Sequence, residues 1–367
     1  MKRIYAHLGE PVVRDVDEPT ARPGEILVDT AFSTVSAGTE TLVLRRSLES
    51  PGVDMEYPGS NPHWPKIRDG VPGSRFPRPA EPEFNSLGYS AAGIVREVGE
   101  GVLDVVPGMA VACSGSQCAH HAQVIAVPRN LVAPLPEGVS LQQGAFVTLG
   151  SIAVEALRKA DVRFGETILI YGLGLLGLLA AQIARAGGLY VIGLDVNPNR
   201  LAAARRLGFV EVYDPQDDST DEHVREATGG FGADAVLLGV VSESSRPLNH
   251  AMELCRQRGK VVGLGVFGMT IDRSSQGQND VVITQSIAYG PGRYDPRYEE
   301  DGVDYPIGLV RWTENRNMAH FLRLLAESKV DVSELAPEPF PIDEAPAGYR
   351  LLRSLSRPPT IQFRHQR

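Results

Sequence analysis

Between residues 166 and 200 the hydrophobic pattern changes period three times. A continuous apolar run, Thr167–Tyr171, has the composition of a strand buried on both faces. A glycine-rich turn follows, and apolar positions then recur at helical spacing over 175–185 until Gly187 and Gly188 stop them. A second apolar run, Tyr190–Leu194, ends on an aspartate. The same alternation continues. Runs at 168–171, 191–194, 210–213, 235–238, 261–265 and 281–288 are spaced as strands of a parallel, doubly wound sheet, with helices predicted over 201–207, 221–228 and 247–254. Before residue 150 the pattern differs. Short strand candidates at 25–30, 92–98 and 109–113 are separated by Gly and Pro turns, which predicts a β-rich domain. Residues from about 47 to 84 carry Pro, Gly and polar groups without periodicity and read as a long loop or insertion. A polar, aromatic segment begins at 290, a helix is predicted over 318–327, and the tail at 351–361 is expected to return to the first domain.

The turn carries the first chemistry. Gly172, Gly174 and Gly177 stand in G-x-G-x-x-G spacing between strand and helix. The first glycine allows the tight turn, the second lets backbone approach a pyrophosphate, and the third allows close helix–strand packing. Amides at the helix start, those of Leu175 and Leu176, then face the phosphates. Asp195 lies about twenty residues on, where a carboxylate accepts from ribose hydroxyls. This predicts a dinucleotide site. Asp195 favours NAD(H), because a 2′-phosphate would meet a negative charge, while Arg200 keeps NADP(H) as the alternative. Strand C-termini form the crevice in such sheets, so Gly239, Val240, Gly265 and Val266 join the cofactor set, with Thr148 and Ser151 beside the nicotinamide.

Composition narrows the partners. A net charge of −9 argues against nucleic acid or an anionic membrane. The first ten residues contain no apolar signal core, and no run has the length of a membrane span. Three cysteines, Cys113, Cys118 and Cys255, form no disulfide framework, which points to a reducing cytoplasm.

Taken together, these pieces resemble the medium-chain dehydrogenase/reductase superfamily. The resemblance rests on PGEILV from Pro23, GYSAAGIVREVGEGV from Gly88, PGMAVA from Pro107, and the glycine-rich turn. It implies an α/β protein: a GroES-like β-rich catalytic domain (1–148), a Rossmann domain (149–290), and a lid and C-terminal segment completing the catalytic domain (291–367). It also implies an active-site cleft between the two domains and a homodimer. The departures from the family pattern concern its zinc. The ligand Cys position is Ala37, the ligand His position is Tyr89, and the third ligand would fall near Val147 and Thr148. Catalytic zinc takes three N, S or O ligands from protein, so no zinc is expected. VSAGTET with GYSAAG is similar to a zinc-lacking branch that includes bacteriochlorophyllide dehydrogenases. The segment from GPGRYDP to VRWTENRN resembles bacterial oxidoreductases of sugar, cyclitol and secondary-metabolite pathways.

Without a metal, hydrogen-bond donors must stabilise the oxyanion of hydride transfer. Thr39 matches a proton-relaying hydroxyl, although a hydroxyl there also suits a helix cap. Glu40 matches an acid behind the ligands and is read as structural. Tyr89 offers a phenol or simply fills space. His120 and His121, in CAHHAQV, are candidate acid–base groups or ordinary strand-start residues. Arg293, Tyr294, Arg311 and Trp312 are candidates for substrate contact, or members of a solvated charged loop. The expected activity is NAD(H)-linked interconversion of a secondary alcohol and a ketone on a small polar cyclic substrate. The alternatives are reduction of a conjugated C=C bond and non-catalytic nucleotide binding.

Overall fold

The computed structural model describes residues 1–49, 84–272, 280–286, 288–354 and 356–365. The insertion expected at 47–84 lies almost wholly outside them. The chain forms two compact units. One comprises Met1–Thr148, Pro291–Ala326 and Val332–Arg367; the other comprises Leu149–Gly290 with Glu327–Asp331.

The second unit is built on six parallel strands. In spatial order they are Val212–Tyr213, Tyr190–Leu194, Thr167–Tyr171, Ala233–Leu238, Cys255–Gly263 and Val282–Gln285. Counted along the chain this is the order 3-2-1-4-5-6 of a Rossmann sheet. The apolar runs form the central strands because helices cover both faces. Leu169, Ile192, Val236 and Leu238 are buried with Leu248, Ala251 and Met252 of the helix Arg246–Glu253. The helix Leu175–Ala186 ends one residue beyond its predicted limit. The fifth strand begins at Cys255, six residues before the apolar run at 261. Polar Arg256, Gln257 and Arg258 hid this extension, and Arg256 pairs with Asp234 at 2.6 Å on the neighbouring strand. The last strand is shorter than the 281–288 run.

The first unit centres on a seven-stranded sheet. Glu25–Thr34 pairs antiparallel with Ser90–Val98, Val124–Pro128 and the C-terminal Gln362–Arg364. Ala110–Ser114 pairs beyond Ser90–Val98. The chain ends therefore share a core: Ile4 and Ala6 of the first strand pack with Val35, Leu44, Leu87, Tyr349, Ile361 and Phe363. The tail contains a helix, Ala345–Leu352, before its strand returns to the sheet. The helix predicted over 318–327 spans Glu314–Ala326, and its first residue is a fully buried glutamate that the polar–apolar pattern could not mark.

Candidate functional site

In the second unit the glycine-rich turn brings the predicted cofactor residues together. Gly172 has φ +108°, a conformation that favours glycine, and a Cβ there would lie 2.6 Å from the Gly239 carbonyl oxygen. A Cβ on Gly177 would lie 1.9 Å from the Gly172 oxygen, so this glycine sets how closely the helix approaches the strand. Gly265 is held equally close against the Val240 backbone, and Val241 pairs with Val266 in a small parallel ladder. Gly174 differs from all of these. A Cβ there would meet only Arg200 Cζ, at 4.0 Å, so the second glycine faces open space. The first helical bond, from the Leu178 N–H to the Gly174 oxygen, comes after the amides of Leu175, Leu176 and Gly177. That arrangement of open space and forward-facing amides fits a pyrophosphate.

Asp195 is buried and locks the turn. Its carboxylate accepts from the Leu173 N–H at 2.8 Å and the Asn197 N–H at 2.8 Å, and it pairs with the Arg200 guanidinium at 3.2 Å. Asn197 caps the next helix, accepting from the Asn199 N–H, and Pro198 starts it. The carboxylate thus joins the glycine turn to the end of the second strand. Ser151 is buried in the helix Val147–Ala160.

In the first unit Thr39 lies half-buried in the first turn of the helix Ala37–Glu49. The helix starts at Ala37, so Thr39 is inside it rather than at its cap. Tyr89 is buried, and its carbonyl accepts from the Thr148 hydroxyl at 2.8 Å and the Gly115 N–H at 3.1 Å. The Thr148 hydroxyl also meets Ser114 Oγ at 2.8 Å, and the Thr148 N–H donates to Ser90 Oγ at 3.1 Å. Thr148 therefore fastens the Tyr89 segment to the neighbouring strands.

The two histidines are buried in different settings. His120 Nε2 meets the Gln117 carbonyl at 2.9 Å, and burial with Arg3 nearby holds its pKa well below the ordinary histidine value. His121 is fully buried, with Nε2 2.9 Å from Glu40 Oε2 and Nδ1 2.7 Å from Ser33 Oγ. The same Ser33 oxygen lies 2.7 Å from His365 Nε2, and the Tyr349 hydroxyl donates to Glu40. Sequence reading missed Ser33, Tyr349 and His365 as site residues. Ser33 and His365 are 332 positions apart, and no local motif links them.

The late polar segment is folded onto the first unit. The Arg293 guanidinium pairs with Glu299, donates to Ser116 Oγ at 2.9 Å and covers the Tyr294 ring at 4.1 Å. Its side chain is 5% exposed, so this arginine is committed within the protein. Arg311 is exposed and lies 3.9 Å over the half-buried Trp312 ring, which also tilts against His320. Arg311, Trp312 and Tyr294 are thus the members of this set that keep surface. Glu314 is fully buried; burial and the neighbouring Glu299 push its carboxyl well above the usual range.

Among the described residues, the side chains at the positions that the resemblance gives to zinc ligands do not suit a catalytic zinc. Ala37 has no ligating atom, Tyr89 offers only a phenol, and the Thr148 hydroxyl is engaged. Cys113 and Cys118 are buried, and burial raises both thiols. Among the described residues no three His, Cys, Asp or Glu side chains gather as a metal site.

Residues 176–300 match the family of zinc-binding dehydrogenases. The (R,R)-butanediol dehydrogenase of Neisseria gonorrhoeae is 24% identical over 317 residues, covering 78% of this chain and 83% of that protein. The D-guloside 3-dehydrogenase of Escherichia coli is 29% identical over 220 residues, covering 58% and 59%. An alcohol dehydrogenase from Thermus sp. ATN1 shares the fold at a TM-score of 0.75 and 19% identity, over 99% of both chains.

Proposed function

We propose that this protein, an oxidoreductase of the medium-chain dehydrogenase/reductase type that uses a nicotinamide cofactor, interconverts a secondary alcohol and a ketone on a small polar cyclic substrate without catalytic zinc. The observation that carries the reading is the pairing of a complete dinucleotide turn with a ligand-poor catalytic unit. Gly174 leaves room for a pyrophosphate and Asp195 is locked beside the turn, whereas the resemblance puts Ala37 and Tyr89 at two zinc-ligand positions and the third near Val147 and Thr148. The names of the similar proteins, which concern a diol and a guloside, support a polyhydroxylated substrate class.

Bound dinucleotide supplies the hydride acceptor or donor. The protein must then stabilise charge on the substrate oxygen and move one proton. The Thr39 and Tyr89 hydroxyls are the donors assigned to that oxygen, in place of a Lewis acid. Trp312 and Tyr294 are assigned to the face of a sugar-like ring, and Arg311 to its polar edge. NAD(H) is the assigned cofactor, because Asp195 both repels a 2′-phosphate and occupies Arg200. His121 passes from the acid–base role to the supporting one, since its two ring nitrogens are both engaged inside the core. The three cysteines are buried and form no disulfide, which suits the cytoplasm.

The test is a substrate panel: 2,3-butanediol, xylitol, myo-inositol and methyl glucosides with NAD⁺, and α,β-unsaturated ketones with NADH and NADPH. The expected result is turnover of one or more secondary alcohols that survives dialysis against a zinc chelator, with less than about a tenth of an equivalent of zinc in the active protein. Turnover of enones alone would replace this reading with C=C reduction. NADH binding without turnover of any panel member would replace it with a non-catalytic role.

A further inference from the structure

Glu40, His121, Ser33, His365 and Tyr349 form one buried hydrogen-bonded chain, and each is at most 2% exposed. A carboxylate at Glu40 can only accept. The His121 nitrogen 2.9 Å from its Oε2 therefore carries the proton, and the Tyr349 hydroxyl donates to the same oxygen. In a neutral imidazole the other nitrogen is then an acceptor, so Ser33 gives it its single proton across 2.7 Å. The Ser33 oxygen is left to accept, and His365 Nε2 must donate to it. This leaves His365 Nδ1 as an acceptor, and that atom has no hydrogen-bond partner. The opposite polarity would strand a buried N–H there, the costlier defect. Only one direction satisfies every donor, and it ends on Glu40.

Both ends of Glu40 and His121 bear on the assigned oxygen donors. Glu40 Oε1 accepts from the Ser36 N–H at 2.7 Å, while the Glu40 N–H donates to the Ser36 carbonyl at 2.8 Å. The turn closed by these two bonds contains Thr39. The His121 N–H donates to the Leu87 carbonyl at 3.0 Å, and a Cβ on Gly88, φ +92°, would lie 2.7 Å from the His121 ring. The turn resting on that ring leads into Tyr89.

We infer that the Glu40–His121–Ser33–His365 chain is the positioning element of the active site, orienting Thr39 through the helix start and Tyr89 through the Gly88 turn. This rests on the reading of Thr39 and Tyr89 as donors to the substrate oxygen. Because the chain acts through these residues, Ser33→Ala changes turnover rather than binding.

The experiment combines kinetics with NMR. Nitrogen-15 histidine spectra of the full-length protein, assigned with His365→Gln, are expected to show His121 and His365 as Nε2–H tautomers. Ser33→Ala is expected to lower kcat roughly tenfold, with KM and the NADH dissociation constant unchanged, and Ser33→Thr to restore it. In a Thr39→Val background Ser33→Ala is expected to cost little more. The inference is overturned if His121 is the Nδ1–H tautomer. It is equally overturned if Ser33→Ala and Glu40→Gln lower Tm but not kcat while Thr39→Val lowers kcat. If instead neither Thr39→Val nor Tyr89→Phe changes kcat, the donor reading itself fails. Should Ser33→Ala not fold, Glu40→Gln and the wild-type spectrum decide by the same criteria.

Discussion

At the scale of single residues, three glycines of one motif do different work, and substitution separates them. A methyl group on Gly177 would collide with the Gly172 carbonyl, which is backbone and cannot turn away. Gly177→Ala is expected to lose about 1–3 kcal/mol of stability, as overpacked sites do. A methyl group on Gly174 meets no protein atom closer than 4.0 Å, and the backbone there is open to any residue. Gly174→Ala should leave Tm unchanged and raise the NADH dissociation constant about tenfold or more, a loss of about 1.4 kcal/mol or more. Thermal melts and NADH titrations on the two variants check both. Equal Tm losses would mean that Gly174 is a structural turn and not a phosphate cradle. The G-x-G-x-x-G spacing and Asp195 were legible because their chemistry is local: strand, turn, helix and acid follow within thirty residues.

At the scale of elements, the helix Glu314–Ala326 begins on a buried carboxyl, and stability should depend on pH because of it. Burial, with Glu299 nearby, raises the Glu314 pKa above its unfolded value, so the folded protein holds a proton that the unfolded chain releases. Stability from this group is complete below the unfolded pKa and is lost as pH rises towards the folded one. Glu314→Gln keeps the shape and removes the titration. Its Tm should match wild type below about pH 4.5 and exceed it increasingly as pH rises above that value. Parallel pH–Tm curves for the two proteins would show that Glu314 stays ionised in the fold. Sequence patterning placed the start of this helix four residues late. A charged residue reads as surface, and only packing reveals that Glu314 is inside. The early start of the strand Cys255–Gly263 was hidden in the same way, because Arg256 is stabilised by Asp234 across the sheet and not by any neighbour in sequence.

At the scale of the whole molecule, the Rossmann sheet ends on a short strand, Val282–Gln285, paired on one side to Cys255–Gly263. Val282, on this edge strand, is more than half exposed. An exposed apolar residue on a sheet edge invites association, and we propose a homodimer that covers it. Sedimentation equilibrium should give about twice the 39.6 kDa of the chain, and Val282→Lys should shift the population towards single chains. A monomer at micromolar concentration would remove this expectation.

What the sequence determined by itself was whatever depends on near neighbours. The apolar runs set the parallel strands, and the glycine spacing set the turn between strand and helix. Tertiary structure alone decided which polar side chains meet. Arg293 was a candidate for substrate until Glu299 and Ser116 were seen to hold it. His121 was a candidate acid or base until Ser33 and Glu40 were found at its two nitrogens. The physical reason is that a buried polar group must find a partner wherever the fold supplies one. Around His121 the partners come from a strand and a helix near the start of the chain, joined by Tyr349 and His365 near its end through the closing of one sheet and its apolar core.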